Sequence, residues 1–396
     1  MAWARLCLLP VLVLWLGFAP VAAQERTRVA LAYIGLVDDP RYAPLELYAQ
    51  LELRPAIRPI DGAEMAIRDA RIIGRALKLE FALEEIRVAT AEEAVTAVGR
   101  AAGAGTRYIL LDLPGPLAAE VAARTEGQPV LLLNISAEDD ALRGADCRPH
   151  LLHVAPSRAM LADALGQYLA EMAWREVLVL AGPLEEDAAL ARSYTEAIQR
   201  FGGKVADARR FAATNDPRQR ERNNIRLLTQ LGSYDVVLVA DTKGEVGRTF
   251  LYRTVLPRPV VGSVGLVPAA WHWSFERHGA PQLNQRFARR VDGRRHMAPQ
   301  EYAAWLAVRT VVEAHAKART ADFAAVAAAL RGPELNVDAY KGFPATFRPW
   351  DNQLRQPILL HTADAIIALA PLARFLHQHN RLDTLGVDEP LSTCGR

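Results

Sequence analysis

The chain has 396 residues, of which 51% are hydrophobic and 23% charged, with 47 basic against 45 acidic side chains. Such a composition builds full cores without metal staples, and its near-zero charge balance excludes nucleic acid as the partner, since phosphate binding draws on a basic excess. Residues 1–23 read as a cleaved export signal: Arg5 supplies the basic start, Leu6 to Phe18 the apolar run, and Val21-Ala22-Ala23 the small residues before a cut at Gln24. The run falls short of the roughly 20 apolar residues that span a bilayer, and no later stretch approaches that length. The expected product is exported, in the simplest case to a Gram-negative periplasm. It keeps Cys147 and Cys394, an even pair that implies one disulfide in an oxidising compartment.

The elements then alternate. Val29 to Val37 reads as a strand, and 61–77 as a helix with its apolar face at 63, 66, 67, 70, 73 and 77, opened by an Asp61/Glu64 capping box. Strands over 79–83, 108–113 and 130–134 follow, separated by helices that start at Thr90 and near residue 117. The rhythm restarts with a helix capped by Ser157, strands over 176–181, 205–211, 235–241 and 259–264, a helix over 187–201, and another opened by Asp216-Pro217. Alternation of this kind predicts parallel sheets covered on both faces. The last third reads as helices over 281–292, 299–318 and 322–330, then a hairpin within 340–370. We therefore expect two Rossmann-like α/β lobes joined by several crossing strands. The first lobe holds 24–156 and the second 157–268; helices of 269–335 return to the first, and 336–396 form a hinge-crossing hairpin and tail. Two such sheets facing one another make a cleft beyond their strand carboxyl ends, where small molecules bind.

Three stretches carry a family resemblance: Asp61 to Ala66 (DGAEMA), Leu151 to Ser157 (LLHVAPS) and Tyr340 to Pro357 (YKGFPATFRPWDNQLRQP). In order and spacing they resemble the type I periplasmic binding proteins, the branched-chain amino-acid receptors of ABC importers. That resemblance implies a receptor that is not an enzyme and works with an importer permease. It also implies that hydroxyls and backbone N–H groups after the strand over 130–134 hold a ligand carboxylate. That position reads Asn134-Ile135-Ser136, with one hydroxyl only, and the loop Asp112 to Pro116 lacks the family's serine, which points away from a branched-chain amino acid. Further, Ala269 to Phe287 (AAWHWSFERHGAPQLNQRF) resembles a subgroup associated with dehydrogenase systems that depend on pyrroloquinoline quinone (PQQ).

A flat quinone with three carboxylates calls for aromatic faces and guanidinium forks. Trp271 and Trp273 supply faces, of which at most one is expected to stack on a ligand. His272 reaches a quinone oxygen. Arg277 supplies a fork, as do Arg54 and Arg58 in the long loop 38–59, which also holds Arg41, Tyr42 and Tyr48. Asn134, Ser136 and, across the cleft, Lys243 complete the candidate set. Each has a plainer reading: tryptophans fill cores, and loop arginines face water. No G-x-S-x-G, H-E-x-x-H, phosphate loop or G-x-G-x-x-G follows a strand, and neither a metal nor a resident cofactor is implied, PQQ entering only as a ligand. The alternatives are a scaffold that docks on a PQQ-dependent dehydrogenase and a receptor for another small acid or amino acid.

Overall fold

A computed structural model describes residues 26–47, 51–212, 216–244, 246–293 and 295–394, with the side chains of 45–47, 51–54 and 217 outside the description. The export signal and Tyr48 also lie outside the described residues. The first lobe runs β1 (Thr27–Leu36), β2 (Leu45–Leu47), β3 (Leu51–Arg54), α1 (Pro59–Asp69), α2 (Arg71–Leu77), β4 (Leu79–Val88), α3 (Ala91–Gly103), β5 (Tyr108–Asp112), α4 (Gly115–Arg124), β6 (Leu131–Asn134) and β7 (Leu151–His153). Its sheet has the order β4-β1-β5-β6-β7, with every pairing parallel. Parallel strands buried on both faces need continuous apolar sequence, and YILLD of β5 and LLLN of β6 are buried at every position.

The second lobe runs α5 (Arg158–Glu171), β8 (Glu176–Ala181), α6 (Glu185–Arg200), β9 (Lys204–Arg210), α7 (Ile225–Leu228), β10 (Val236–Ala240) and β11 (Val260–Gly262). Its parallel sheet has the order β11-β10-β8-β9. The chain then follows β12 (Val267–Ala269) back to the first lobe through α8 (Ala280–Arg290), α9 (Pro299–Ala318) and α10 (Phe323–Arg331). A small ladder, β13 (Val337–Asp338) with β14 (Pro344–Ala345), precedes the hairpin β15 (Ile358–His361) and β16 (Ile366–Ala370), which pairs with β12. Among the described residues no helix is long and apolar enough to cross a membrane.

Two expected helices differ. The helix over 61–77 starts two residues earlier and breaks at Ala70 into α1 and α2. Asp61 does not cap it: its carboxylate pairs with Arg295 at 2.7 Å, beside the point where a Cβ on Gly62 would sit 1.9 Å from the Glu301 carbonyl oxygen of α9. The helix expected after Asp216-Pro217 is a 3-10 turn over Pro217–Asn223 followed by the single turn α7. PRQRERN has no apolar stripe to bury, so tertiary packing gives it no reason to extend.

The chain passes between the lobes three times, at 154–157, at 267–270 and at 348–358, and buried polar groups tie the passes together. Lys341 is fully buried. Its ammonium donates to the Ala270 carbonyl (2.7 Å), the Pro357 carbonyl (2.8 Å) and Gln356 Oε1 (2.7 Å), while Gln356 Nε2 donates to the Val154 carbonyl (2.7 Å). Gln353 adds bonds to His153, Ala155 and Arg143. Side chains of β15 divide between the lobes, Leu359 packing into the first core and Ile358 and Leu360 into the second. Cys147 and Cys394 are joined, 247 residues apart, fastening the tail to the first lobe.

Candidate functional site

At the first lobe's strand carboxyl ends a polar cluster forms where β1, β5 and β6 finish side by side. Asp112, 2% exposed, closes β5. Its carboxylate accepts from the Tyr33 hydroxyl of β1, from the Tyr42 hydroxyl at 2.5 Å and from Arg41 Nη2 at 3.1 Å. The loop after β1 bends inward so that Arg41 lies between Asp39 (2.6 Å), Asp112 and Ser136 Oγ (3.1 Å). Burial first, and the Asp112 charge second, hold both phenols well above their usual range, so they stay neutral donors. The position after β6 that the resemblance assigns to a ligand carboxylate is thus filled by this chain's own guanidinium.

Beside this cluster opens a cavity of about 510 Å³ lined by Tyr33, Asp38, Asp39, Tyr42, Arg58, Arg87 and Glu85, with Ile57 and Ile60 as its apolar wall. Its volume suits a small organic ligand. Arg58 precedes α1, and its backbone N–H donates to Glu301 (3.2 Å), which fixes the entry of the helix. The guanidinium is 61% exposed and only loosely paired with Glu85 at 3.9 Å; Arg87, 45% exposed, stands 3.4 Å from the same carboxylate. Two cations sharing one acid keep donors to spare for an anionic ligand.

The structure places the other expected residues elsewhere. Trp271 is fully buried, stacked on Tyr302 at 4.5 Å with its indole N–H on Asn284, so it is core and offers no face to a ligand. Trp273 is 38% exposed and stacked on His296 at 4.3 Å. His272 stacks on His361 at 3.9 Å, and burial, then the His361 and His296 charges, push it down to about 4. Arg277 is exposed before α8. None of these four lines the cavity beside Arg58.

Asn134 is fully buried and shapes its own turn, accepting from Ala137 N–H (2.8 Å) and donating to the Ala137 carbonyl (2.7 Å), so it does not face the cleft. Arg54 ends β3, and its side chain lies outside the described residues. Lys243 is exposed on the second lobe, where the neighbouring loop ends are held by their own bonds: Thr242 on Asp187 (2.6 Å), and Asp241 on the N–H groups of Gly244, Val246 and Gly247. Sequence reasoning missed Tyr33, Asp39, Asp112 and Arg87. The available signal was an acid closing an otherwise apolar strand, since a buried carboxylate needs partners.

Two parallel-sheet lobes with three crossings and the cleft beyond their strand ends define the type I periplasmic binding protein fold. No family model matches the chain, and no curated protein matches it in sequence. Solved structures do. A branched-chain amino-acid ABC transporter periplasmic ligand-binding protein from Burkholderia xenovorans is similar with a TM-score of 0.69 at 12% identity, over 93% of this chain and 99% of that one. A leucine-, isoleucine-, valine-, threonine- and alanine-binding protein from Brucella ovis is similar at 0.67 and 12%, over 87% and 92%. An ABC transporter solute-binding protein from Rhodopseudomonas palustris, in complex with 3,4-dihydroxybenzoic acid, is similar at 0.61 and 12%, over 86% and 94%. At this identity the likeness establishes the fold.

Proposed function

We propose that the protein is an exported, periplasmic solute receptor, without catalytic activity, that takes a small aromatic carboxylate, PQQ foremost, and presents it to an ABC importer. The observation that carries this reading is the 510 Å³ cavity in which two tyrosines stand beside Arg58 and Arg87. Tyr42, half-buried, and the Ile57 wall offer surface to a flat aromatic body, with the buried Tyr33 backing them, and partly exposed guanidinium groups accept its carboxylates without a prior desolvation penalty. The R. palustris neighbour bound to a dihydroxybenzoate supports an aromatic acid on this fold. An α-amino acid fits less well, because Arg41 already occupies Asp112 and Ser136.

Calorimetric titration of the mature protein with PQQ, 3,4-dihydroxybenzoate and leucine tests the reading. Saturable binding of either aromatic acid, with leucine silent, is expected. A response to leucine alone would overturn the ligand class, and silence to all three would overturn the receptor reading.

A further inference from the structure

The second lobe covers the two faces of its sheet unequally. Helices α5 and α6 pack over one face. Right-handed crossovers send β9→β10 and β10→β11 over the other. Among their described residues these two connections, 211–235 and 241–259, hold only α7 and short 3-10 turns. They bury Ile225, Leu228 and Phe250 against β8 and β10. What they turn outward is unusual for a chain of near-zero net charge. Arg218, Arg220, Arg222 and Arg226 on the first, and Arg248, Arg253 and Arg258 on the second, are all exposed. Among the described residues none of the seven forms an ion pair, and Glu221 is the one exposed acid of the two connections.

Apolar groups stand among these arginines. Leu227 is 46% exposed, Val255 39%, and Tyr252, held at φ 62°, is 101% exposed. Beside Tyr252 opens a groove of about 1120 Å³ between this connection and the β15–β16 hairpin, lined by Trp174, Leu251, Val261 and Leu266, with Arg258 and, on the hairpin side, Asp364 exposed at it.

We propose that this face of the second lobe docks a protein partner through an acidic segment that carries an apolar anchor. The arginines pair with its carboxylates and the groove beside Tyr252 receives the anchor. Charge complementarity fixes the sign of the partner. Its class follows from residue type and shape: tyrosine and arginine, rather than lysine, are what protein interfaces concentrate, and a concave groove is filled by side chains, not by a flat bilayer. The ligand cavity is lined by first-lobe residues, none of them on these two connections.

The test uses the full mature chain and fluorescence anisotropy of a short labelled glutamate-rich peptide with a central leucine pair. Its controls are a leucine-to-serine version, a glutamate-to-lysine version, and vesicles containing phosphatidylglycerol. Saturable binding is expected for the acidic leucine peptide, with weaker binding of the serine version and none of the lysine one. Tyr252→Ala, and separately Arg218→Glu with Arg222→Glu, should each weaken it about tenfold while thermal melts and binding of aromatic acids stay as in the parent; Arg58→Ala should leave it unchanged. Absence of saturable peptide binding, indifference to the Tyr252 and arginine variants, or binding to vesicles in place of the peptide would overturn the proposal.

Discussion

Lys341→Met replaces a buried ammonium with a neutral chain of similar length at the point where two inter-lobe passes meet. The ammonium makes three bonds of 2.7–2.8 Å, to Ala270, Gln356 and Pro357, and sits 5.0 Å from the Tyr302 ring centroid. Burial holds its pKa well below the usual lysine range, so part of its desolvation cost is recovered on substitution. What remains is three acceptors stranded away from water, each costing about 1–3 kcal/mol. The net is a loss of about 3–5 kcal/mol, the range seen when one partner of a buried charged network is removed. Lys317→Met is the control: that ammonium is half-exposed and bonds Glu334 at 2.6 Å, and exposed pairs contribute about 0–1 kcal/mol. Urea denaturation followed by circular dichroism reads both. A Lys341→Met change within about 1 kcal/mol of the parent, no larger than that of Lys317→Met, would refute the claim that this side chain fastens the lobes.

Arg41→Met should leave the Asp112 carboxylate with only its two phenol donors and destabilise the protein by about 1–3 kcal/mol; denaturation reads it, and a neutral outcome would remove Arg41 from the cluster. Trp271→Ala should cost about 3–5 kcal/mol, as deletion of a core aromatic does, whereas Trp273→Ala should cost under half as much; equal losses in melting experiments would contradict their different burial. His272, pushed down to about 4, stays neutral in the folded state while the unfolded chain protonates near 6.5. Its contribution is therefore complete above pH 6.5 and lost as pH falls toward 4. The Tm of His272→Gln should decline less over that window than the parent's, and identical slopes would refute the assignment. Cys394→Ser should free the tail from Cys147 and cost about 2–4 kcal/mol; an unchanged denaturation midpoint would show that other contacts hold it.

Much of the fold was legible because its parallel strands are short apolar runs and its helices show an apolar face or a cap. Ser157 and Thr90 accept from Met160 and Glu93 as their positions imply. Parity does not explain Trp271 and Trp273: two residues apart, they would share one face of an extended strand, and the chain instead turns at Trp273, leaving one ring buried and the other exposed. The helix after Asp216 was misread because Asp-Pro is a start signal that says nothing of what the following residues can bury. The site was less legible. Arg41 reads as an ordinary loop arginine, and only the adjacency of β1, β5 and β6 brings it to Asp112 and Ser136. Lys341, likewise, looks like a surface lysine until the fold returns Ala270 and Pro357 to its side.

The receptor reading meets its most direct test in calorimetric titration of PQQ into the parent, Arg58→Ala with Arg87→Ala, and Trp273→Ala. Both arginines line the cavity, and Trp273 does not. Loss of two charge-assisted contacts should weaken binding at least about tenfold in the arginine variant, with the Trp273→Ala isotherm matching the parent. Binding that survives the loss of both arginines and fails with Trp273→Ala would move the ligand to the 271–277 segment and contradict the account.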